Sequence, residues 1–144
     1  MRLTQFTDYA LRLLIYAAMH PDRLVTIEEA AVAYEISRSH LMKVANLLTR
    51  EGFLKAVRGR SGGLTLGQPA KKIILGQVVR ATEPDFAMLE CFGTADQTCC
   101  LSPECHLRGI LAGALDVFMA EMDRHTLADL VAHPAGFGLA RPAA

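Results

Sequence analysis

Thr26-Ile27-Glu28-Glu29-Ala30-Ala31-Val32-Ala33-Tyr34-Glu35-Ile36-Ser37-Arg38-Ser39-His40-Leu41-Met42-Lys43-Val44 decides the fold. Thr26 and Glu29 have the spacing at which a hydroxyl caps a helix start and a carboxylate returns the bond, and an alanine-rich segment to about Tyr34 follows. Ile36-Ser37-Arg38-Ser39 turns the chain, with Ser37 as the cap of the next helix. That helix carries Leu41, Val44, Leu47 and Leu48 inward at three- and four-residue intervals. Two short helices joined by so short a turn make a helix-turn-helix.

Reading outward, the chain changes after Glu51-Gly52 from helical to extended. Phe53-Leu54-Lys55-Ala56-Val57 and Leu64-Thr65-Leu66 alternate as strands, and Arg58-Gly59-Arg60-Ser61-Gly62-Gly63 between them supplies a hairpin tip, or wing. Ahead of the motif, Phe6, Tyr9, Ala10, Leu13, Leu14 and Ala17 predict a helix beginning at Thr7 or Asp8 and ending near His20-Pro21. A short helix from Ile74 to about Thr82 closes the unit before Pro84. Leu107, Ile110, Leu111, Ala114, Val117, Phe118 and Met122 then repeat along a helix to about His125. At about 28 Å, that helix exceeds the surface its own domain offers, so pairing with the same helix of a second copy buries its stripe; the alternative is that it folds back. The expected organisation is mainly α with a small β-hairpin wing: a winged helix-turn-helix domain over 1–84, a ligand loop over 85–106, a dimerisation helix and C-terminal helix over 107–132, and a mobile tail over 133–144.

The net charge is zero, but its distribution is uneven. Residues 37–72 hold eight Lys or Arg against Glu51 alone, a net +7, whereas residues 83–129 hold nine acids against Arg108 and Arg124, a net −7. A basic half joined to a helix-turn-helix and a glycine-rich basic hairpin points to DNA. Arg38, Ser39, His40 and Lys43 lie at the start of the second motif helix, where base edges are read, and Arg38 suits guanine. Arg58 and Arg60, with Ser61 and Gly62 beside them, suit the minor groove or backbone. Ser37 joins this set as the helix cap.

All four cysteines fall in the fifteen positions from Cys91 to Cys105, within a segment rich in loop-forming residues. The spacing Cys91-x7-Cys99, Cys100, Cys105 lacks the opposed close pairs of a structural zinc site. Widely spaced thiolates on a loop suit an iron-sulfur cluster, of [4Fe-4S] or [2Fe-2S] type. Adjacent Cys99 and Cys100 are poorly placed to bind alike, which leaves three thiolates and one open ligand position. His106 is the nearest candidate for it, and thiol-disulfide switching without metal is the other chemistry open to the loop.

These motifs, with Met1-Arg2-Leu3-Thr4-Gln5-Phe6-Thr7-Asp8-Tyr9-Ala10-Leu11-Arg12 and Thr126-Leu127-Ala128-Asp129-Leu130, make a chain that resembles the iron-sulfur winged-helix repressors. Within them it is more similar to the NsrR type, bacterial nitric oxide sensors, than to the IscR type, regulators of cluster biogenesis. The resemblance implies a homodimer that represses from a palindromic operator and releases it when nitric oxide nitrosylates the cluster. It implies Cys91, Cys99 and Cys105 as ligands, Cys100 as a spare, and Asp8 of the partner subunit as the fourth ligand; from the residues alone, Asp8 reads as a helix cap. Arg12, one turn on from Asp8, is then placed to tie that ligand to the loop. The competing regulatory readings are a sensor of iron-sulfur status or oxidative stress, and a zinc-stabilised DNA-binding module.

No nucleophile-base-acid set, phosphate loop or hydride-cofactor motif is present, which argues against an enzyme. With no run of eighteen apolar residues and no apolar leader after Met1, the expectation is a cytoplasmic protein without a membrane span.

Overall fold

The structure is a computed structural model that describes residues 2–89, Phe92 and 105–132. Its elements run α1 (Gln5–Ala18), α2 (Ile27–Tyr34), α3 (Arg38–Arg50), β1 (Leu54–Val57), β2 (Gly63–Leu66), a 3-10 turn (Ala70–Lys72), α4 (Leu75–Thr82), α5 (His106–Asp123) and α6 (Leu127–Val131). This is the expected mainly helical winged helix-turn-helix.

The helix-turn-helix forms for the reasons its sequence gives. Thr26 Oγ1 accepts from the Glu29 amide at 3.1 Å while a Glu29 carboxylate oxygen accepts from the Thr26 amide at 2.7 Å, so two of α2's unpaired donors are satisfied at once. Glu35 ends α2 in the left-handed region at φ 54° and directs the chain into α3. Leu41, Val44, Ala45 and Leu48 of α3 are buried against α1, whose Ala10, Leu13, Leu14 and Ala17 form the centre of the core.

Helix α1 starts at Gln5 rather than at Thr7 or Asp8, because Thr4 is the cap: its hydroxyl accepts from the Thr7 amide at 3.3 Å. Asp8 therefore sits inside the first turn, and the helix-cap reading of Asp8 does not hold. Thr4 is itself held by Glu83, a carboxylate oxygen of which accepts from the Thr4 amide at 2.8 Å and from its hydroxyl at 3.1 Å. Thr7 is fully buried and donates to Thr82 at 2.9 Å, which satisfies a polar group inside the α1–α4 contact.

The wing is an antiparallel pair with Leu54 opposite Leu66 and Val57 opposite Gly63. Its inner strand is pinned to the segment before α2, since the Val25 amide donates to Leu64 O at 2.9 Å and the Leu64 amide to Val25 O at 2.7 Å. The hairpin therefore has a fixed position beside α3. At its tip Gly59 has φ +120°, a conformation that side chains other than glycine rarely adopt.

The segment after α5 returns to the DNA-binding core. Leu127 of α6 is fully buried, its amide donates to Ile73 O at 2.8 Å, and the Leu75 amide donates to His125 O at 2.9 Å. The apolar repeat of α5 divides over two faces. Leu107, Ile110, Ala114 and Val117 are exposed, while Leu111, Leu115, Phe118 and Met122 are half-buried and Met119 is buried. None of the helices is long and apolar enough to cross a membrane, among the described residues.

Candidate DNA interface and cluster site

Helix α3 presents one face to solvent: Arg38, Ser39, His40, Met42, Lys43, Asn46 and Arg50 are exposed. Packing explains this, because the buried residues occupy the opposite side. The sequence reading places Arg38, Ser39, His40 and Lys43 on this face but passes over Met42 and Asn46. Their spacing from Ser39 and Lys43, by three residues each, is the signal that finds them. Met42, 43% exposed despite its apolar chain, suits a thymine methyl, and Asn46 an adenine edge.

Ser37 occupies the cap position of α3 but gives no side-chain cap; its hydroxyl pairs with that of Ser39 at 2.8 Å. Without a capping oxygen, the first amides of α3 remain open to an anion such as a phosphate. Two neighbours fix the side chains at this end. Arg38 Nε lies 3.2 Å from a Glu28 carboxylate oxygen, and the His40 ring lies 6.4 Å from the Tyr9 ring at an interplanar angle of 26°.

Arg58, Gly59, Arg60 and Ser61 of the wing tip are exposed and Gly62 is half-buried, with the Gly62 amide donating to Gly59 O at 3.0 Å to close the loop. Among the described residues, Lys43, Arg58 and Arg60 have no acidic partner within ion-pair distance. Their charge is uncompensated locally, as phosphate binding requires.

The side chains assigned to a cluster lie elsewhere. Asp8, freed from capping by Thr4, accepts from Arg12 Nε at 2.9 Å, and its side chain is 47% exposed. The Arg12 guanidinium also lies over the Tyr34 ring, 5.9 Å from its centroid, which connects the Asp8 carboxylate to α2. Burial pushes the Tyr34 phenol up to about 12, with the Arg12 charge acting in the opposite direction. Cys105 stands at the N-cap of α5, half-buried. It lines an open surface concavity of about 670 Å³ with His106, Gly109 and Ile110, and Asp8 of the same chain is not in that lining. Cys91, Cys99 and Cys100 lie outside the described residues, as does the tail 133–144. No three His, Cys, Asp or Glu side chains gather in metal-binding geometry among the described residues of one chain.

The helix-turn-helix, the pinned basic hairpin and the returning C-terminal helix define a winged-helix DNA-binding protein. Over residues 3–133 the chain matches the family Rrf2, iron-dependent transcriptional regulator, and it belongs to that family. It is thus a DNA-binding transcriptional regulator and not an enzyme. Solved structures share its fold. CymR, the global cysteine regulator of B. subtilis, is 22% identical with a TM-score of 0.76, covering 92% of this chain and 98% of its own. IscR of T. potens is 20% identical with a TM-score of 0.74, covering 97% and 94%. A chain from Listeria innocua is 22% identical with a TM-score of 0.77, covering 100% and 95%.

Proposed function

We propose that the chain is a homodimeric repressor that holds an iron-sulfur cluster through Cys91, Cys99, Cys105 and Asp8 of the partner subunit, and that nitric oxide releases it from a palindromic operator. The observation that carries this reading is the state of Asp8. It lies in the first turn of α1 yet does no capping, is half-exposed, and bonds only to Arg12 among the described residues. A carboxylate so placed suits a hard, exchangeable iron ligand that complements three thiolates. Two members of the donor set support it: Cys105 is half-buried at the head of α5 and Asp8 is half-exposed, and the family is described as iron-dependent.

The bare face of α5 supports the dimer. Leu107, Ile110 and Val117 are 52%, 67% and 70% exposed on one stripe, and the same stripe of a second copy would cover it. Two copies related by a two-fold axis place two α3 helices on successive major grooves, which accounts for a palindromic site. When bound, the cluster supplies irons to which a small molecule such as nitric oxide can bind.

The chain's own residues convert this to DNA release. With Asp8 held across the dimer, Arg12 is free of it and stays over Tyr34 of α2; with Asp8 released, the two re-form the pair seen here. Tyr9, next to Asp8 on α1, stacks on His40, so a change in the orientation of α1 reaches the reading helix directly.

Anaerobic purification followed by absorption spectroscopy and operator binding tests this. Brown protein with broad visible bands, whose DNA affinity collapses on treatment with nitric oxide, is expected. Cys100→Ser is expected to keep full cluster content, and Cys105→Ser and Asp8→Ala to lower it. Apo and nitric oxide-treated protein that bind as tightly as the loaded protein would sink the reading. So would colourless protein carrying one zinc.

A further inference from the structure

We propose that base readout is carried by the middle of α3: Asn46 binds an adenine through its N6 and N7 edge, and Met42 covers the methyl group of a thymine within about two base-pair steps of it. This rests on α3 being the reading helix and is independent of the cluster. Three observations carry it. First, Leu41, Val44, Ala45 and Leu48 are buried, and at about 3.6 residues per turn Ser39, Lys43, Asn46 and Arg50 stand directly opposite them. Arg38 and His40 fall on the two margins of that outward face. Second, most polar groups of the face have local neighbours. Ser39 bonds to Ser37 at 2.8 Å, Arg50 to Glu51 at 3.3 Å, His40 lies by Tyr9 and Arg38 beside Glu28. The Asn46 amide makes no side-chain hydrogen bond among the described residues. Lys43 is unpaired too, but an ammonium is a point charge suited to phosphate. Third, Met42 is 43% exposed, and at four residues before Asn46 the two side chains are neighbours on the helix surface.

Helix stability does not account for Asn46, because asparagine is a poor former of exposed helix interiors. In a major groove its amide gains two bonds: the carbonyl oxygen accepts from the adenine N6 amino group and the NH2 group donates to N7, an order of donor and acceptor that adenine alone presents. Met42 has no polar atom to offer a base edge beyond a weak sulfur, and its flexible chain moulds to a thymine methyl that water covers poorly. The separation of the two bases follows from the helix. Four residues rise about 6 Å along the axis, against about 3.4 Å for one base-pair step. Both residues lie inside a helix whose other side is packed on α1, so this spacing is set before DNA arrives and little order is lost on binding. Asn46 and Met42 together therefore select A·T pairs at the centre of each half-site contact.

The test removes single atoms from the DNA. Duplexes are recovered by selection from a random-sequence pool with full-length, anaerobically purified protein, and each adenine of the recovered site is replaced in turn by 7-deazaadenine, which lacks the N7 acceptor, and each thymine by uracil, which lacks the methyl group. Wild type is expected to lose roughly tenfold in affinity at one adenine of each half-site and about fourfold at one thymine nearby, the latter being the value of one buried methyl group. Asn46→Ala is expected to abolish the loss at that adenine and keep the loss at the thymine; Met42→Ala is expected to do the reverse. Both variants are expected to bind random-sequence duplex as wild type does and to unfold at nearly the wild-type temperature. If either variant keeps its own sensitivity, or weakens binding to every duplex by one common factor, the proposal is overturned while the reading helix stands. A wild-type protein that selects no sequence overturns the reading-helix assignment itself, and the proposal with it.

Discussion

Arg80 and Asp123 form a two-pronged ion pair, Nη1 to Oδ1 at 2.7 Å and Nη2 to Oδ2 at 2.6 Å, which fastens the end of α5 to α4. Gly76, one turn before Arg80, lies directly beneath it, and a Cβ added there meets Asp123 Oδ1. The arrangement sets the direction in which α5 leaves the DNA-binding domain.

Gly76→Ala is expected to lower the melting temperature only slightly, because the overlap displaces the exposed Asp123 side chain and costs no more than the ion pair it breaks. In an Asp123→Ala background the methyl group has room, so the same substitution costs less there. Asp123→Ala alone removes an exposed pair; its melting temperature falls only slightly, while hydrogen exchange in α5 rises. The Arg80 hydrogen bonds hold the Asp123 carboxyl below its usual value of 3.8. A lowered carboxylate contributes stability that is fully present above the unfolded value and is lost as pH falls through the folded one, so the fastening persists to about pH 5. Exchange measured at pH 7 and pH 5 is expected to show the same protection of α5.

Leu127→Ala tests how firmly the chain's return is built in. Its side chain is fully buried among core residues that include Leu13 and Ile73, and a cavity there is expected to cost about 2–5 kcal/mol. Denaturant unfolding should show a lower midpoint with an unchanged slope. A cost below 1 kcal/mol would mean that α6 is a dispensable appendage.

The helix-turn-helix was legible because its determinants are local: Thr26 with Glu29, the turn at Ser37, and an apolar repeat that packing obeys. The wing was legible from its alternation and glycines. What escaped is non-local. Thr4 caps α1 where the start was expected at Thr7 or Asp8 with Asp8 as the cap, because Glu83, far away in sequence, holds the Thr4 side chain in place. Leu127 docks beside Ile73 through a bridge that no periodicity encodes. The repeat along α5 reads as one stripe, and only the position of α4 shows that Met119 faces inward while Val117 stays bare. Of the candidate site, the α3 and wing residues lie where their spacing put them, whereas Cys91 and Cys99 are outside the described residues.

Tyr34→Phe tests the junction between Arg12 and α2. The Tyr34 hydroxyl is buried and has no hydrogen-bond partner among the described residues, and an unsatisfied buried hydroxyl costs more than the apolar ring that replaces it. The variant is expected to be as stable as wild type or up to about 1 kcal/mol more stable at neutral pH. Because burial raises the phenol from 10 to about 12, the neutral form is favoured in the fold. That contribution is present below pH 10 and is lost as pH rises towards 12, so the variant's advantage grows over this interval. Loss of more than 1 kcal/mol at pH 7 would show that the hydroxyl has a partner.

The wing arginines should behave unlike Arg38. Arg58 and Arg60 are exposed, unpaired among the described residues and carried on a tip set by Gly59, so the expectation is that they meet phosphates without reading bases. Arg58→Ala and Arg60→Ala are each expected to weaken binding by a similar factor on every duplex and to reduce the slope of log affinity against log salt by about one. Gly59→Ala leaves both charges in place but strains the tip, so it should weaken binding while leaving each arginine able to release a counterion. Fluorescence anisotropy over a salt series separates these outcomes. A change in base preference at one position, with the slope unaltered, would instead place an arginine of the tip against a base edge in the minor groove.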